Sequence, residues 1–233
     1  MKEEVNTVRR SYMSQSELKI VIFDMDGLLV DTERVYRDGW EYAANYHGVQ
    51  LPAEMFHGWV GKGYHETTEE LVKLTNDRDL VMAIRKTREK YFYQELDEGR
   101  VPPKPYAKEA LQAAKENHTV GLATSTVAKR AGDVLAGLGF LDYIDYPVFG
   151  DDVANLKPAP DVYLEVLKRA GFTADAGIAV EDSIPGSQAA ENAGLKVLMV
   201  PDANFELDIT KVPAGVIQRG NDLQLVLDYL KKH

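Results

Sequence analysis

The chain contains no cysteine, which excludes disulfides, thiolate zinc sites and cysteine nucleophiles. Its chemistry must use oxygen and nitrogen groups. Cations are also in deficit: 27 Lys and Arg against 37 Asp and Glu give a formal net charge of −10. That balance leaves no basic footprint for nucleic acid or an anionic membrane surface. No window approaches the roughly 18 uninterrupted apolar residues of a membrane span, and the opening MKEEVNTVRRSYMSQSE has no apolar segment of signal-peptide length. The expectation is a cytoplasmic protein with neither a nucleic-acid nor a membrane partner. Its five histidines show no metal-ligand spacing. Low-complexity tracts and internal repeats are absent too.

What is present is a βα alternation. Strand-length apolar runs stand at 18–23 (LKIVIF), 119–124 (TVGLAT), 145–150 (DYPVFG), 177–182 (GIAVED), 196–200 (KVLMV) and 215–220 (GVIQRG). From residue 106 onward, helix-period segments with one apolar face lie between them, three of them stopped by a Gly suited to the left-handed position. Strands without polar alternation are covered on both faces, so the pattern predicts a doubly wound parallel sheet sandwiched by helices. Residues 34–100 interrupt it with helical stretches and no convincing strand, which predicts an inserted helical cap. The boundaries expected are a loose extension at 1–17, a core from 18–33 and 101–233, and a cap at 34–100. Asp31-Thr32 and the Gly99, Pro102, Pro103, Pro105 punctuation suit a two-stranded hinge between them.

In such a sheet the carboxyl ends of the strands share one edge, where ligands bind. That edge collects Asp24 and Asp26, Thr124 and Ser125, Glu181 and Asp182, with Lys157 in the loop after the third strand. Asp24 and Asp26 are two apart, about 6 to 7 Å along a strand, and project from one side. One carboxylate can attack a phosphoryl group while the other moves protons, and Gly27 leaves the turn open. The obstacle is repulsion: a carboxylate about 4 Å from a phosphate dianion meets roughly 8 kcal/mol at an effective dielectric of 20. Asp24, the backbone carbonyl of Asp26, Glu181 and Asp182 are hard oxygen ligands suited to Mg²⁺. Lys157 adds positive charge and Thr124 a hydroxyl.

DMDGLLVDTE, LATST, LKPAPDVY and VEDSIPGSQAAENAG, in that order, resemble the four motifs of the haloacid dehalogenase superfamily in its β-phosphoglucomutase-like phosphatase branch. The likeness runs from about residue 18 to 230 and includes the cap. It implies a Rossmannoid core, Asp24 as nucleophile, Asp26 as general acid/base, Thr124 and Lys157 binding the phosphoryl group, and Asp182 with Glu181 completing a Mg²⁺ site. The implied activity is hydrolysis of a small phosphomonoester, such as a sugar phosphate, through an aspartyl-phosphate.

Departures narrow the reaction. Asp26 argues against dehalogenation, since dehalogenases of the superfamily lack that acid. Val127 and Tyr64 stand where the mutase branch has basic residues, and Tyr36 stands where it has a histidine. A hexose phosphate mutase remains as an alternative because Lys62 could hold a distal phosphate, and a non-catalytic metal or phospho-ligand module ranks last. Taken singly, each motif has a plain structural reading. Asp-x-Asp-Gly is most often a turn, Ser125 and Thr126 serve as well to cap a helix, and Gly61-Lys62-Gly63 reads as a turn touching substrate. Trp40, Trp59 and Tyr91-Phe92-Tyr93 read as cap core.

Overall fold

A computed structural model describes residues 17–59, 64–203 and 207–233. Six strands form one sheet in the order β3-β2-β1-β4-β5-β6. They are β1 (Ile20–Phe23), β2 (Thr119–Ala123), β3 (Tyr146–Val148), β4 (Gly177–Glu181), β5 (Lys196–Met199) and β6 (Val216–Arg219). Every neighbouring pair is parallel. The central strands β1 and β4 are buried at every position, while the edge strand β6 is mostly exposed. This is why the interior strands read as continuous apolar runs.

Alternation within β1 assigns the two faces. Val21 and Phe23 pack with Val120, Leu122 and Val180 beneath α5 (Ala107–Asn117), α6 (Ala128–Leu138) and α9 (Gln224–Leu230). Ile20 and Ile22 pack with Ala123, Ala179 and Val197 beneath α7 (Asp161–Ala170) and α8 (Ile184–Asn192). Gly139, Gly171 and Gly194 all take positive φ just beyond their helices, as expected.

Four cap helices follow the first motif: α1 (Thr32–Tyr46), α2 (Ala53–Trp59), α3 (Tyr64–Thr75) and α4 (Arg78–Asp97). Helix α1 therefore starts two residues earlier than the sequence suggested, and α2 and α9 are additions to the expected elements. Trp40, Trp59, Leu71, Val81 and Ile84 form a separate cap core, with the two tryptophan rings 5.1 Å apart. Phe92 instead joins the core beneath the sheet. The chain crosses between the parts on two extended segments: Asp31 N–H donates to Pro102 O at 3.0 Å and Lys104 N–H to Leu29 O at 2.9 Å. Among the described residues no helix is long and apolar enough to cross a membrane.

Candidate active site

The switch point of the sheet lies between β1 and β4, and the carboxyl ends of these strands and of β2 carry the candidate groups. Asp24 continues β1 by donating its N–H to Val180 O at 3.0 Å, and Thr124 continues β2 by donating to Val148 O at 3.2 Å. The register thus delivers both side chains to one edge. Asp24 and Thr124 are buried, as is Glu181 at the end of β4.

Lys157 enters from the loop after β3 and ends between the carboxylates. Its Nζ donates to Asp24 Oδ1 at 2.5 Å, Glu181 Oε1 at 2.6 Å and Ala123 O at 2.8 Å. An ammonium has three donors, and all three are used. Burial alone would pull this group down, but Asp24 and Glu181 outweigh it and hold Lys157 above the ordinary lysine value. Tyr163, on α7, donates its hydroxyl to the same Glu181 oxygen at 2.6 Å.

Asp24, Glu181 and Asp182 each bring an oxygen within 4.8 Å of the others. Burial pushes Asp24 up to about 8, against the pull of Lys157 and with help from Glu181 and Asp26. Burial, then Asp24 and Glu181, also push Asp182 well above the usual carboxylate range. A hard divalent cation would relieve that repulsion, and an all-oxygen donor set is the kind it takes. The turn is shaped around this cluster. Gly27 has φ +78°, and a Cβ there would overlap the Asp182 carboxylate. Gly186, near the start of α8, is bare for a similar reason, since a Cβ would overlap Glu181. Ser183 caps α8 by accepting from Gly186 N–H at 3.2 Å, so capping and cluster formation coexist here.

Asp26 points its carboxylate elsewhere. Oδ2 accepts from Thr126 Oγ1 at 2.7 Å and Thr124 Oγ1 at 3.3 Å, and Oδ1 accepts from Tyr36 Oη at 3.4 Å. The two aspartates of the first motif thus have different company: Asp24 sits with a cation and acids, Asp26 with hydroxyls. Ser125 is exposed on the same loop. Lys62 and its flanking glycines fall outside the described residues.

Three of these groups have no chemical role in the sequence reading: Thr126 reads as a cap, Tyr36 stands where the mutase branch has a histidine, and Tyr163 lies in the third motif without a function. A tyrosine flanked by apolar residues early in α7 was the available signal, because a buried hydroxyl needs a partner.

The model of the haloacid dehalogenase-like hydrolases matches residues 21–200. A phosphorylated carbohydrates phosphatase of Thermotoga maritima is 32% identical over 183 residues, covering 77% of this chain and 83% of that protein. A fructose-1-phosphate phosphatase of Escherichia coli K12 is 29% identical, covering 77% of this chain and 95% of its own length. Among solved structures, a Thermotoga maritima protein provisionally assigned as a β-phosphoglucomutase superposes with a TM-score of 0.78 at 29% identity, covering 92% of this chain and 99% of that one. With the match running from β1 through β5 and taking in every strand-end motif, this chain belongs to the haloacid dehalogenase-like hydrolases.

Proposed function

We propose that the chain is a Mg²⁺-dependent phosphatase of a small phosphomonoester, a sugar phosphate being the first class to try, that works through an aspartyl-phosphate on Asp24. The observation that carries this reading is Asp24 held against Lys157 at 2.5 Å with the Glu181 and Asp182 oxygens beside it. The carbohydrate phosphatase at 32% identity supports the substrate class.

An Asp24 carboxylate oxygen forms the new bond to phosphorus as the ester P–O bond breaks. Asp26 gives its proton to the departing alkoxide, so that an alcohol leaves. Asp26 then takes a proton from water as the water oxygen attacks phosphorus, and the acyl phosphate cleaves to Asp24 and inorganic phosphate. Thr124, Thr126 and Tyr36 hold the Asp26 carboxyl in place for both transfers. Lys157 has its donors occupied, so its first task is to fix Asp24 and offset its charge. Each unit pair at about 4 Å is worth roughly 4 kcal/mol at an effective dielectric of 20, or about three decades in rate. Bound at Asp24, Glu181 and Asp182, Mg²⁺ would supply charge neutralisation for the phosphoryl oxygens. The cap, taken as residues 34–100, closes over this edge and selects the substrate.

Asp24→Asn should abolish release of phosphate from p-nitrophenyl phosphate while leaving the thermal transition intact; full activity in that variant rejects the nucleophile. A mutase reading draws on the provisional assignment of the solved relative. Tyr36, Tyr64 and Val127, in place of a histidine and basic groups, weigh toward hydrolysis. Product isomer without free phosphate, dependent on a bisphosphate activator, would decide for the mutase.

A further inference from the structure

Lys157 reaches the acidic cluster from an exposed loop. Ala154, Asn155 and Leu156, which precede it, all face solvent, and a lysine stem is long and flexible, yet this side chain is 8% exposed and ends on Asp24. Loop and stem do not by themselves fix such a group. Glu181, fully buried at the end of β4, meets the ammonium from the other side, so the position of Lys157 is only as definite as that of the Glu181 carboxylate.

Donors from its own turn hold that carboxylate loosely. Oε2 accepts from Asp182 N–H at 3.2 Å and from Ser183 Oγ at 3.4 Å, at the long end of the hydrogen-bond range. Oε1 is held from outside the turn, by Lys157 Nζ at 2.6 Å and by Tyr163 Oη at 2.6 Å. A short bond from a hydroxyl to a carboxylate is the strong kind.

Tyr163 has a rigid base. Its side chain is fully buried and packs with Ala123, Val148 and Val166 between α7 and the sheet. Helix α7 lies so close on β2 that a Cβ on Gly121 would stand 2.6 Å from Val166 Cγ1, and a close-packed core leaves a ring of this size little freedom. The same side chain also meets the cation: Lys157 Nζ lies 5.2 Å from the centroid of the Tyr163 ring, within cation–π range. Hydroxyl on the acid and ring on the cation set Tyr163 against both members of the ion pair. A phenylalanine would fill this space without burying a hydroxyl, so packing does not account for the oxygen.

We propose that Tyr163 is a positioning residue for the reaction at Asp24: its hydroxyl fixes Glu181, and Glu181 keeps the Lys157 ammonium on Asp24 while that carboxylate attacks phosphorus. The inference rests on the phosphatase reading for its chemistry. Phosphoryl transfer is catalysed by positioning and charge, and a displacement of about 1 Å can cost about a hundredfold in rate. Because the three ammonium donors are already taken by Asp24, Glu181 and Ala123 O, the loss falls on turnover rather than on substrate binding.

The test is Tyr163→Phe in the full-length chain, assayed with p-nitrophenyl phosphate in Mg²⁺. The kcat should fall at least about tenfold with KM within about twofold of the wild-type value. Val166→Ala, a truncation one turn along the same helix, is the destabilised control and should leave kcat within about twofold. The second readout is the NMR signal of the Lys157 ammonium in the metal-free, ¹⁵N-lysine-labelled chain, identified by its loss in Lys157→Arg. Burial and three hydrogen bonds slow its proton exchange with water, so it should be visible in the wild-type chain and in Val166→Ala and broadened beyond detection in Tyr163→Phe. A Tyr163→Phe chain with wild-type kcat, a fall matched by Val166→Ala, or an ammonium signal absent from the wild-type chain or unchanged by loss of the hydroxyl overturns the assignment. Failure of the phosphatase reading looks different: the wild-type chain then releases no phosphate, and the ammonium signal alone decides whether Tyr163 holds the pair.

Discussion

The hydroxyl of Tyr36, on the first cap helix, donates to Oδ1 of Asp26, on a turn of the core, across 3.4 Å. The same ring packs against Phe92 with centroids 5.1 Å apart, so its position depends on α1 and α4 being docked. The carboxyl proposed as the acid/base group is thereby held by threonines that follow β2 and by a tyrosine of α1. Tyr36→Phe removes the cap's share of that hold. We expect kcat for p-nitrophenyl phosphate to fall roughly tenfold, equivalent to about 1.4 kcal/mol, with little change in KM or thermal midpoint. Steady-state kinetics on the two proteins decide it, and identical kcat values would reduce the tyrosine to packing.

Lys157 is the residue on which the buried charges depend. Its side chain is 8% exposed, between Asp24 at 9% and Glu181 at 0%. Lys157→Met would leave two carboxylates buried with their cation gone, a change that costs about 3–5 kcal/mol in comparable sites. The expected result is a thermal midpoint lower by about 10 °C together with a loss of activity of at least about a thousandfold. Lys157→Arg should do little better, because a planar fork does not match three acceptors arranged around one ammonium. Differential scanning calorimetry and a phosphate-release assay measure the two effects.

The convergence of Asp24, Glu181 and Asp182 was legible in the sequence because they close apolar runs whose parallel strands bring their ends to one edge, and Lys157 lies in the loop that leaves the same edge after β3. Asp24, Thr124 and Glu181 needed no knowledge of side-chain packing, only of strand direction. Thr126 was not legible: its hydroxyl reaches Asp26 at 2.7 Å through a loop whose path depends on Gly150 packing under the Ser125 carbonyl. Helix α2 has seven residues with a glycine near its end, too short for an apolar period to emerge.

Gly27 links turn geometry to cation binding. An alanine there must hold φ near +78° and push its methyl into the Asp182 carboxylate. The backbone part costs about 1–2 kcal/mol, and the collision displaces an oxygen of the proposed Mg²⁺ site. Free Mg²⁺ at about a hundred times its Kd should stabilise the wild-type chain by about 2.7 kcal/mol, which is roughly 5–10 °C at this size. Gly27→Ala should lose more than about half of that increment under the same conditions. Thermal unfolding of both proteins with Mg²⁺ and with chelator provides the comparison; an undiminished increment would detach Gly27 from the cation site.

Glu33, at the end of the first motif, is pushed up to about 7, chiefly by burial and then by Asp26 and Asp202, with Arg88 and Lys104 opposing. A carboxyl whose folded value lies above its unfolded value binds protons more tightly in the folded state. Its contribution to stability is therefore fully present below the unfolded value, near 4.5, and is lost as pH rises through about 7. Glu33→Gln keeps the shape and discards the charge, so it should match the wild-type chain at pH 4 and exceed it at pH 8. At pH 8 the gain in thermal midpoint should be at least about 2 °C. The measurement is a pair of melting curves at each pH without added metal. A gap that stays constant between the two conditions would mean that Glu33 titrates in the ordinary carboxylate range and is not held among the acids of this site.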